Sequence, residues 1–355
     1  MSTDNWVIER EVKGMESVYG GTRDSQAGVR DMPYGKAKES AVLESPVTAT
    51  EMAIQAGLDK HELFKAKTYI QTTDGLLDTN EYAIGRADTK TVFKTGFSNQ
   101  YTIMNPLDAA KHLDELTGGR EIFVAGGSLK GGRVNYYIAD LDNTLEILPS
   151  DPVKSQLVFL NSHDGSHALR VSVAPFRLAC LNQLNVASYG SRSQQKFSLV
   201  HRASVGNFST LAQSFFDEVE EQFHAFGTTC KQLADMPMSS PDISTFVMDL
   251  LSLDAHKVGI DYKDGGWSGG QHKKYDDLYD AMINGTGIKS IEGVSNTGWA
   301  VFNGVTEWAD HIVRPRTRNE EDKPEARLYN ALAGGTQAFK QKAFDRLVEM
   351  AGITS

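Results

Sequence analysis

Several features of secreted and membrane proteins are scarce or missing in this sequence. It contains two cysteines in 355 residues, Cys180 and Cys230, which is too few for a disulfide framework. No apolar run reaches the roughly 18 residues that a membrane-spanning helix needs. The first residues, MSTDNWVIEREVKG, are charged and lack the apolar centre of a secretory signal. We therefore expect a cytoplasmic protein with no membrane partner.

Sequence signatures of common cofactor and metal sites are also missing. The chain has no G-x-x-x-x-G-K-[ST] phosphate loop, no C-x-x-C pair and no H-E-x-x-H motif. The glycine-rich stretch GGSLKGG lies inside a predicted hairpin, where backbone N–H groups already have hydrogen-bond partners. We expect no cofactor, and we favour a protein that acts by binding over an enzyme.

The composition is that of a globular protein, with 40% hydrophobic and 23% charged residues. The formal net charge is −10. A protein this acidic binds nucleic acid poorly unless its basic residues are clustered on one surface. The distribution of lysine and arginine therefore decides whether nucleic acid is a plausible partner.

The order of predicted elements divides the chain into three parts. Residues 1–45 are rich in glycine, serine and mixed charge, which predicts a flexible N-terminal arm. Residues 46–206 read as a β-rich core with two hairpins, and residues 207–355 as a helical region packed on that core. Strands followed by helices, rather than alternating with them, predict an α+β fold with an antiparallel sheet of hairpins packed with long helices.

Turn residues place the two hairpins. Lys130-Gly131-Gly132 separates two apolar stretches, and glycine takes positive φ there at little cost. Asp164-Gly165, within the stretch NSHDGSHALRV, is a strong turn dipeptide between two further strands. A long amphipathic helix is predicted to begin near Asn207, where apolar residues recur every three or four positions.

The stretch NSHDGSH admits two interpretations. His163 and His167 are four residues apart, as on a metal-binding helix, and Asp164 lies between them. Asp-Gly makes a helix improbable, however, and residues four apart in a strand are well separated. We favour a polar hairpin turn in which the side chains bond to their own backbone.

A second group of polar residues lies in the predicted helix FNGVTEWADHI. Asn303, Glu307 and His311 are spaced four apart and would share one helical face. We favour a buried polar network or a solvated face over a general base or metal ligand. The alternative function that these residues leave open is a metal-dependent hydrolase acting on nucleic acid. Its ligands and base would be His163, Asp164, His167, Glu307 and His311.

The distribution of positive charge is more informative than either of these two polar groups. Between Asn161 and Val205 the sequence contains five basic residues and a single carboxylate, Asp164. These cations are Arg170, Arg177, Arg192, Lys196 and Arg202. Lys130 and Arg133 flank the first hairpin turn, with Tyr136 and Tyr137 beside them.

Cations and aromatic rings on exposed hairpins are typical of proteins that bind single-stranded nucleic acid, although scattered arginines on a sheet surface are common. In the first interpretation the cations contact phosphates, while Tyr136 and Tyr137 stack on bases or pack in the protein. Asn182 and Asn185 would bond to phosphates or cap the turn after the sheet.

Three stretches together resemble successive blocks of the phage- and plasmid-borne family known as domain of unknown function 932. They are AGGSLKGGRVNYYIADL, LVFLNSHDGSHALRVSVAPFRLACLNQLNVA and NTGWAVFNGVTEWADH, and the tail EARLYNALAGGTQAFKQKAFDRLVEMA is similar to the last helix of the family. The resemblance covers roughly residues 50–350. The N-terminal arm departs from the Trp-His-x-Leu-Gly-like stretch that members are expected to carry.

The resemblance implies a genetic context, phage or plasmid replication and recombination, rather than residue roles. Two hairpins followed by a long helix are also similar to the core of phage single-strand annealing proteins, which form rings around a basic groove. The resulting expectation is a single-stranded DNA-binding protein that anneals complementary strands. It would assemble into a homo-oligomer, for example a ring. A single-strand binding protein would be a further partner.

Overall fold

The structure is a computed structural model, and it describes residues 39–167, 169–177, 182–183, 196–199, 208–289 and 293–353. The strands are β1 (Glu39–Val47), β2 (Leu63–Thr72), β3 (Gly75–Arg86), β4 (Thr91–Phe97), β5 (Phe123–Leu129), β6 (Val134–Glu146), β7 (Pro152–Ser162), β8 (Leu169–Arg177), β9 (Asn182–Gln183) and β10 (Lys196–Leu199). The helices are α1 (Ala49–Gln55), α2 (Pro106–Thr117), α3 (Phe208–Asp235), α4 (Ser240–Leu250), α5 (Gly269–Asn284), α6 (Thr286–Lys289), α7 (Gly298–Glu307), α8 (Lys323–Ala333) and α9 (Gly335–Met350).

The fold is α+β with antiparallel sheets, as the element order predicts. Seven strands form the main sheet in the order β1-β5-β6-β7-β8-β10, with β9 pairing the end of β8. A second sheet contains β2, β3 and β4. None of the helices in the described ranges is long and apolar enough to cross a membrane.

The end of the predicted N-terminal arm belongs to the main sheet. Residues 39–47 form β1, which pairs antiparallel with β5, and Ala41 and Val42 are buried. The sheet boundary therefore lies at or before Glu39 rather than at residue 46, because β1 covers an edge of β5 that would otherwise expose backbone N–H and C=O groups. Residues 1–38 lie outside the described part of the chain.

Helices cover both faces of the main sheet. On one face Phe123, Phe159 and Val173 pack with residues of α1 and α2, and on the other Tyr136 and Ile138 pack with α8. Both alternating sets of side chains are therefore buried, which explains why β7 is buried along almost its whole length.

An ion network around the buried Arg86 joins the small sheet to the main one. Arg86 at the end of β3 donates to both carboxylate oxygens of Glu39 on β1, at 2.9 and 3.1 Å, and also binds Asp88. His61 lies 3.1 Å from the same Glu39 carboxylate. Burial opposes ionisation of Glu39, but the hydrogen bonds from His61 and Arg86 outweigh it and lower its pKa to about 2. The three-stranded sheet is thus fixed beside the ends of the central hairpins.

The helical region has its own core. The apolar stripe of α3, including Phe223, Phe226 and Leu233, packs with α4, α5, α7 and α9. After Glu307 the helix continues as one π-helical turn, Trp308–Ile312. The predicted single final helix is wrong, because the extended Gly334 separates α8 from α9.

Candidate nucleic-acid interface

The two central hairpin turns lie side by side at one end of the main sheet. Val134, just after the first turn, pairs with Ser162, just before the second, and His163 N–H donates to the carbonyl of Arg133 at 2.8 Å. The Ser162 hydroxyl bonds to the N–H and carbonyl of His167, so it closes the second turn. The prediction that NSHDGSH forms a hairpin tip is confirmed.

Strand β4 and the segment after it flank the two turns on one side. The Arg133 guanidinium donates to the Phe93 carbonyl and lies 5.4 Å from the Phe93 ring centroid. A Cβ atom at Gly165 would be 3.8 Å from Lys94 Nζ, and the Tyr101 hydroxyl donates to the Ser162 carbonyl at 3.4 Å. The exposed Lys94 therefore lies next to the second turn.

Helix α8 flanks the same turns on the other side. Lys130 Nζ lies 3.3 Å from the centroid of the Tyr329 ring, a cation–π contact. The Tyr329 hydroxyl is 2.9 Å from His167 Nε2, and Arg170 Nη2 donates to the Leu332 carbonyl at 2.9 Å. Residues about 160 to 200 positions apart in the chain thus meet around one tyrosine ring.

These contacts define what we call the hairpin-end cluster: Lys94, Lys130, Arg133, His167, Arg170 and Tyr329. It holds four permanent cations, while Asp164 and Glu325 are the carboxylates beside it. Lys94 and Lys130 are exposed, whereas the arginines are half-buried. Arg170 Nε is buried and has no hydrogen-bond partner among the described residues. The cluster is a local excess of positive charge on an acidic protein, and it can attract an anion.

Burial and neighbouring cations lower the pKa of His167. Burial is the larger cause, and the positive charges of Arg170 and Lys130 act in the same direction against the opposing effect of Asp164. The imidazole is therefore neutral at pH 7. Its Nε2 either accepts a hydrogen bond from the Tyr329 hydroxyl or donates one to it, depending on the tautomer.

The lowered pKa of His167 predicts a loss of stability in mild acid. The folded protein binds a proton at His167 less readily than the unfolded chain does, so stability falls as the pH drops through the unfolded value of about 6.5. We expect the urea midpoint to decline less between pH 7.5 and pH 5 in His167→Gln than in the wild type. The exposed His256 provides the control, since His256→Gln should decline like the wild type. An unchanged pH dependence in His167→Gln would contradict this assignment.

The stacking role considered for Tyr136 and Tyr137 is wrong in this structure. Both rings are buried, at 0% and 1% exposure, because helices cover both faces of β6. The Tyr137 hydroxyl donates to the Pro106 carbonyl at 2.9 Å, and burial raises the pKa of each phenol. These tyrosines pack within the protein, and neither ring is available to a base.

The predicted basic residues do not all lie at one place. Arg170 is at the hairpin end of β8, whereas Arg177 is at its other end, about 23 Å away at 3.3 Å per residue. Asn182 pairs with Arg177 there, and the backbone of Lys196 pairs with Ser172.

The remaining predicted residues of this set, Asn185, Arg192 and Arg202, lie outside the described residues. Of the basic residues predicted for the groove, the structure places Lys130, Arg133 and Arg170 together.

The histidines of the second turn have structural partners. His163 is 1% exposed, and its Nε2 lies 2.5 Å from Asn135 Oδ1 on the neighbouring strand. Asp164 Oδ1 accepts from Ser166 N–H at 2.9 Å, as in an Asx turn. Together with the bond from His167 to Tyr329, these contacts account for the polarity of the turn.

The polar residues of the stretch FNGVTEWADHI have structural partners in the helical region. Glu307 accepts from the N–H groups of Thr286 and Gly287, at 3.2 and 3.3 Å, at the start of α6. All of α7 is buried, and the π-helical turn after it interrupts the predicted four-residue spacing to His311. Within the described ranges, no group of three or more His, Cys, Asp or Glu side chains is placed to hold a metal ion. The structure therefore gives the hydrolase alternative no ligand set.

One stretch, Gly266–Gly270, matches the pattern G-x-S-x-G that surrounds nucleophilic serines in some hydrolases. In the structure Ser268 is the N-cap of α5, where its hydroxyl donates to Gln271 Oε1 at 3.0 Å and accepts from the Gln271 N–H at 3.3 Å. A 3₁₀ turn and two glycines precede it, not the strand that a nucleophile elbow needs. The serine therefore serves as a helix cap.

Two members of the cluster, Lys94 and Tyr329, are missing from the sequence-based prediction. Lys94 lies on a strand of the small sheet, and Tyr329 lies on a helix near the end of the chain. Their distance from the hairpins in sequence hides their proximity in space. A hint for Tyr329 is its place beside apolar positions 328 and 332, on the face with which α8 packs against the sheet.

Comparison with known proteins gives one relationship. No curated protein and no solved structure matches the chain. The model of the family described as domain of unknown function 932 matches residues 95–333, which include the two central hairpins, α3, α7 and α8. Because this match covers two thirds of the 355 residues, the chain belongs to the family described as domain of unknown function 932.

Proposed function

We propose that the protein binds single-stranded DNA at the hairpin-end cluster. The observation that supports this most directly is the convergence of Lys130, His167 and Arg170 around Tyr329, with Lys94 and Arg133 on the other side of the turns. A backbone phosphate is the anion that such a cationic surface takes most readily in nucleic acid. The acidic charge of the whole protein limits binding to other surfaces.

The cluster suits a binding role without catalysis. Lys94 and Lys130 are exposed and contact phosphates directly, while the half-buried Arg133 and Arg170 provide a fixed positive field. Tyr329 takes the place that Tyr136 and Tyr137 were predicted to fill, as the aromatic ring beside the cations. Because the protein contacts the phosphates and not the bases, the base edges stay free to pair. Annealing of a second strand requires such free base edges.

The wider proposal concerns assembly and setting. The protein acts as a homo-oligomer, in a ring if it follows single-strand annealing proteins, and it anneals complementary strands of phage or plasmid DNA. It works in the cytoplasm of a bacterial host beside a single-strand binding protein. The family resemblance supports this setting by analogy of fold and context.

The test is fluorescence anisotropy of a labelled single-stranded oligonucleotide, titrated at two salt concentrations with and without EDTA. We expect salt-sensitive binding that EDTA does not change. The variant Lys94→Glu/Lys130→Glu should bind at least about tenfold more weakly, since each charge-assisted contact contributes about 1.5 kcal/mol. Its salt dependence, as the slope of log K against log salt, should fall by about 2.

A matched control reverses two exposed lysines of the helical region. Lys257→Glu/Lys263→Glu changes the net charge by the same amount, on the segment between α4 and α5. It should bind like the wild type. Absent binding, or an equal loss in both variants, contradicts the proposal, and cleavage that EDTA stops would indicate the hydrolase instead.

A further inference from the structure

A second positively charged surface lies in the connection between the π-helical turn and α8. The sequence there is RPRTR, residues 314–318, which we call the arginine segment. Arg314, Arg316 and Arg318 are exposed, whereas Pro315 between them is buried. Thr317, between the second and third arginines, is half-buried, so the more exposed positions of the segment are its three arginines.

The arginine segment is held in place at both ends. The Val313 N–H donates to the Trp308 carbonyl at 2.8 Å, and Arg327 Nη2 on α8 donates to the Val313 carbonyl at 3.4 Å. At the other end the Thr317 hydroxyl donates to the Asn319 carbonyl at 2.9 Å. A backbone fixed in this way loses little conformational entropy when a ligand binds.

Three carboxylates, Glu320, Glu321 and Asp322, follow the segment, and Glu320 also interacts with Arg314. Glu320 forms an ion pair with Lys323, and Asp322 accepts from the Asn319 amide at 3.1 Å. Neither Arg316 nor Arg318 has an ion-pair partner within the described ranges. The segment thus presents guanidinium groups to solvent, and a guanidinium binds phosphate through two parallel hydrogen bonds.

Helix α8 links the arginine segment, which precedes it in the chain, to the hairpin-end cluster, which it contacts. Glu325, in the first turn of α8, accepts from the Lys130 N–H, and Tyr329 one turn later lies under Lys130 Nζ. Arg327, between these two residues, holds Val313. From Lys323 to Tyr329 the helix rises only about 9 Å. A strand that extends past the hairpin-end cluster along α8 can therefore reach both surfaces.

We propose that the arginine segment is a second phosphate-binding stretch, which takes the backbone of the same DNA strand where it continues past Lys130. This inference rests on the proposed function of the hairpin-end cluster. It adds a direction to the bound strand, along α8 from the hairpin turns toward residues 314–318. It also sets the footprint, because only a strand longer than the cluster can contact both.

The experiment compares two lengths of labelled single-stranded DNA, of about 5 and about 20 nucleotides, which span the usual range for one binding site. The variant Arg314→Gln/Arg316→Gln/Arg318→Gln should lose about tenfold in affinity for the long strand, and its salt slope should fall by up to about 3. Its affinity for the short strand should match that of the wild type. Circular dichroism and urea midpoints check that the variant is folded.

The control variant is Lys231→Gln/Lys257→Gln/Lys263→Gln, which removes three exposed cations elsewhere in the helical region. It should bind both strands like the wild type. If the arginine variant binds the long strand as tightly as the wild type does, the inference fails and the proposed function stands. If the wild type binds neither strand, both fail.

Discussion

Replacing Lys340 by methionine is expected to cost about 3–5 kcal/mol of unfolding free energy. Lys340 on α9 is fully buried, and its Nζ lies 2.5 Å from Oδ1 of Asp310, which is 6% exposed in the π-helical turn. Methionine fills similar space but leaves the Asp310 carboxylate buried beside an apolar side chain. Urea unfolding, followed by circular dichroism, measures the change.

A double-mutant cycle separates the ion pair from simple packing. Asp310→Asn/Lys340→Met should be less destabilised than the sum of its single variants, because neither charge is then left alone. Lys342→Met, on an exposed position two residues along the same helix, should change stability by less than about 1 kcal/mol. Additive single effects would show that the charges are not coupled.

Replacing Gly304 by alanine is expected to destabilise the helical region by about 2 kcal/mol. A Cβ atom at Gly304 on α7 would lie 2.4 Å from Cα and 2.7 Å from N of Met282 on α5. Backbone atoms cannot move aside like a flexible side chain, so the two helices would have to separate. Thermal or urea unfolding of Gly304→Ala gives the measured loss.

The control for this glycine is Gly270 in the first turn of α5. A Cβ atom there meets nothing nearer than the Ser268 hydroxyl oxygen at 4.0 Å. Because alanine favours helix by up to about 1 kcal/mol over glycine, Gly270→Ala should be neutral or slightly stabilising. A stabilised Gly304→Ala would mean that α5 and α7 do not pack as closely as the structure shows.

Both variants bear on the proposed interface through α7 and the π-helical turn. The turn anchors Val313 and thereby the arginine segment, and its Asp310 connects it to α9. Loss of the Lys340–Asp310 pair should therefore weaken the support of residues 314–318 as well as global stability. The stability and DNA-binding measurements are best made on the same preparations.

Local sequence signals predicted most of the secondary structure. Thr48 and Glu51 form the capping box of α1, Gly118 ends α2 at φ +64°, and Lys130, Gly131 and Gly132 take positive φ in the first hairpin turn. These features depend on neighbours within four residues, so the sequence carries them directly. The break at Gly334 was missed because the helical pattern continues on both sides of it.

The candidate site was only partly predictable. The positions of the two hairpin turns follow from local turn chemistry, and so does the presence of Lys130, Arg133 and Arg170 near them. Which face of each strand is exposed does not follow, because alternation looks the same whether one face or both are covered. The stacking role considered for Tyr136 and Tyr137 fails for this reason, since α8 packs on the Tyr136 face of the sheet and α1 and α2 pack on the Tyr137 face.

Composition and short-range periodicity specify the α+β class, the two hairpins, the long helix α3 and the excess of positive charge around the turns. The positions of β4 and α8 on either side of the turns, and the contact of His167 with Tyr329, are seen only in the folded chain. These contacts join residues up to about 200 positions apart, and they follow from which apolar faces pack together, which no local pattern specifies.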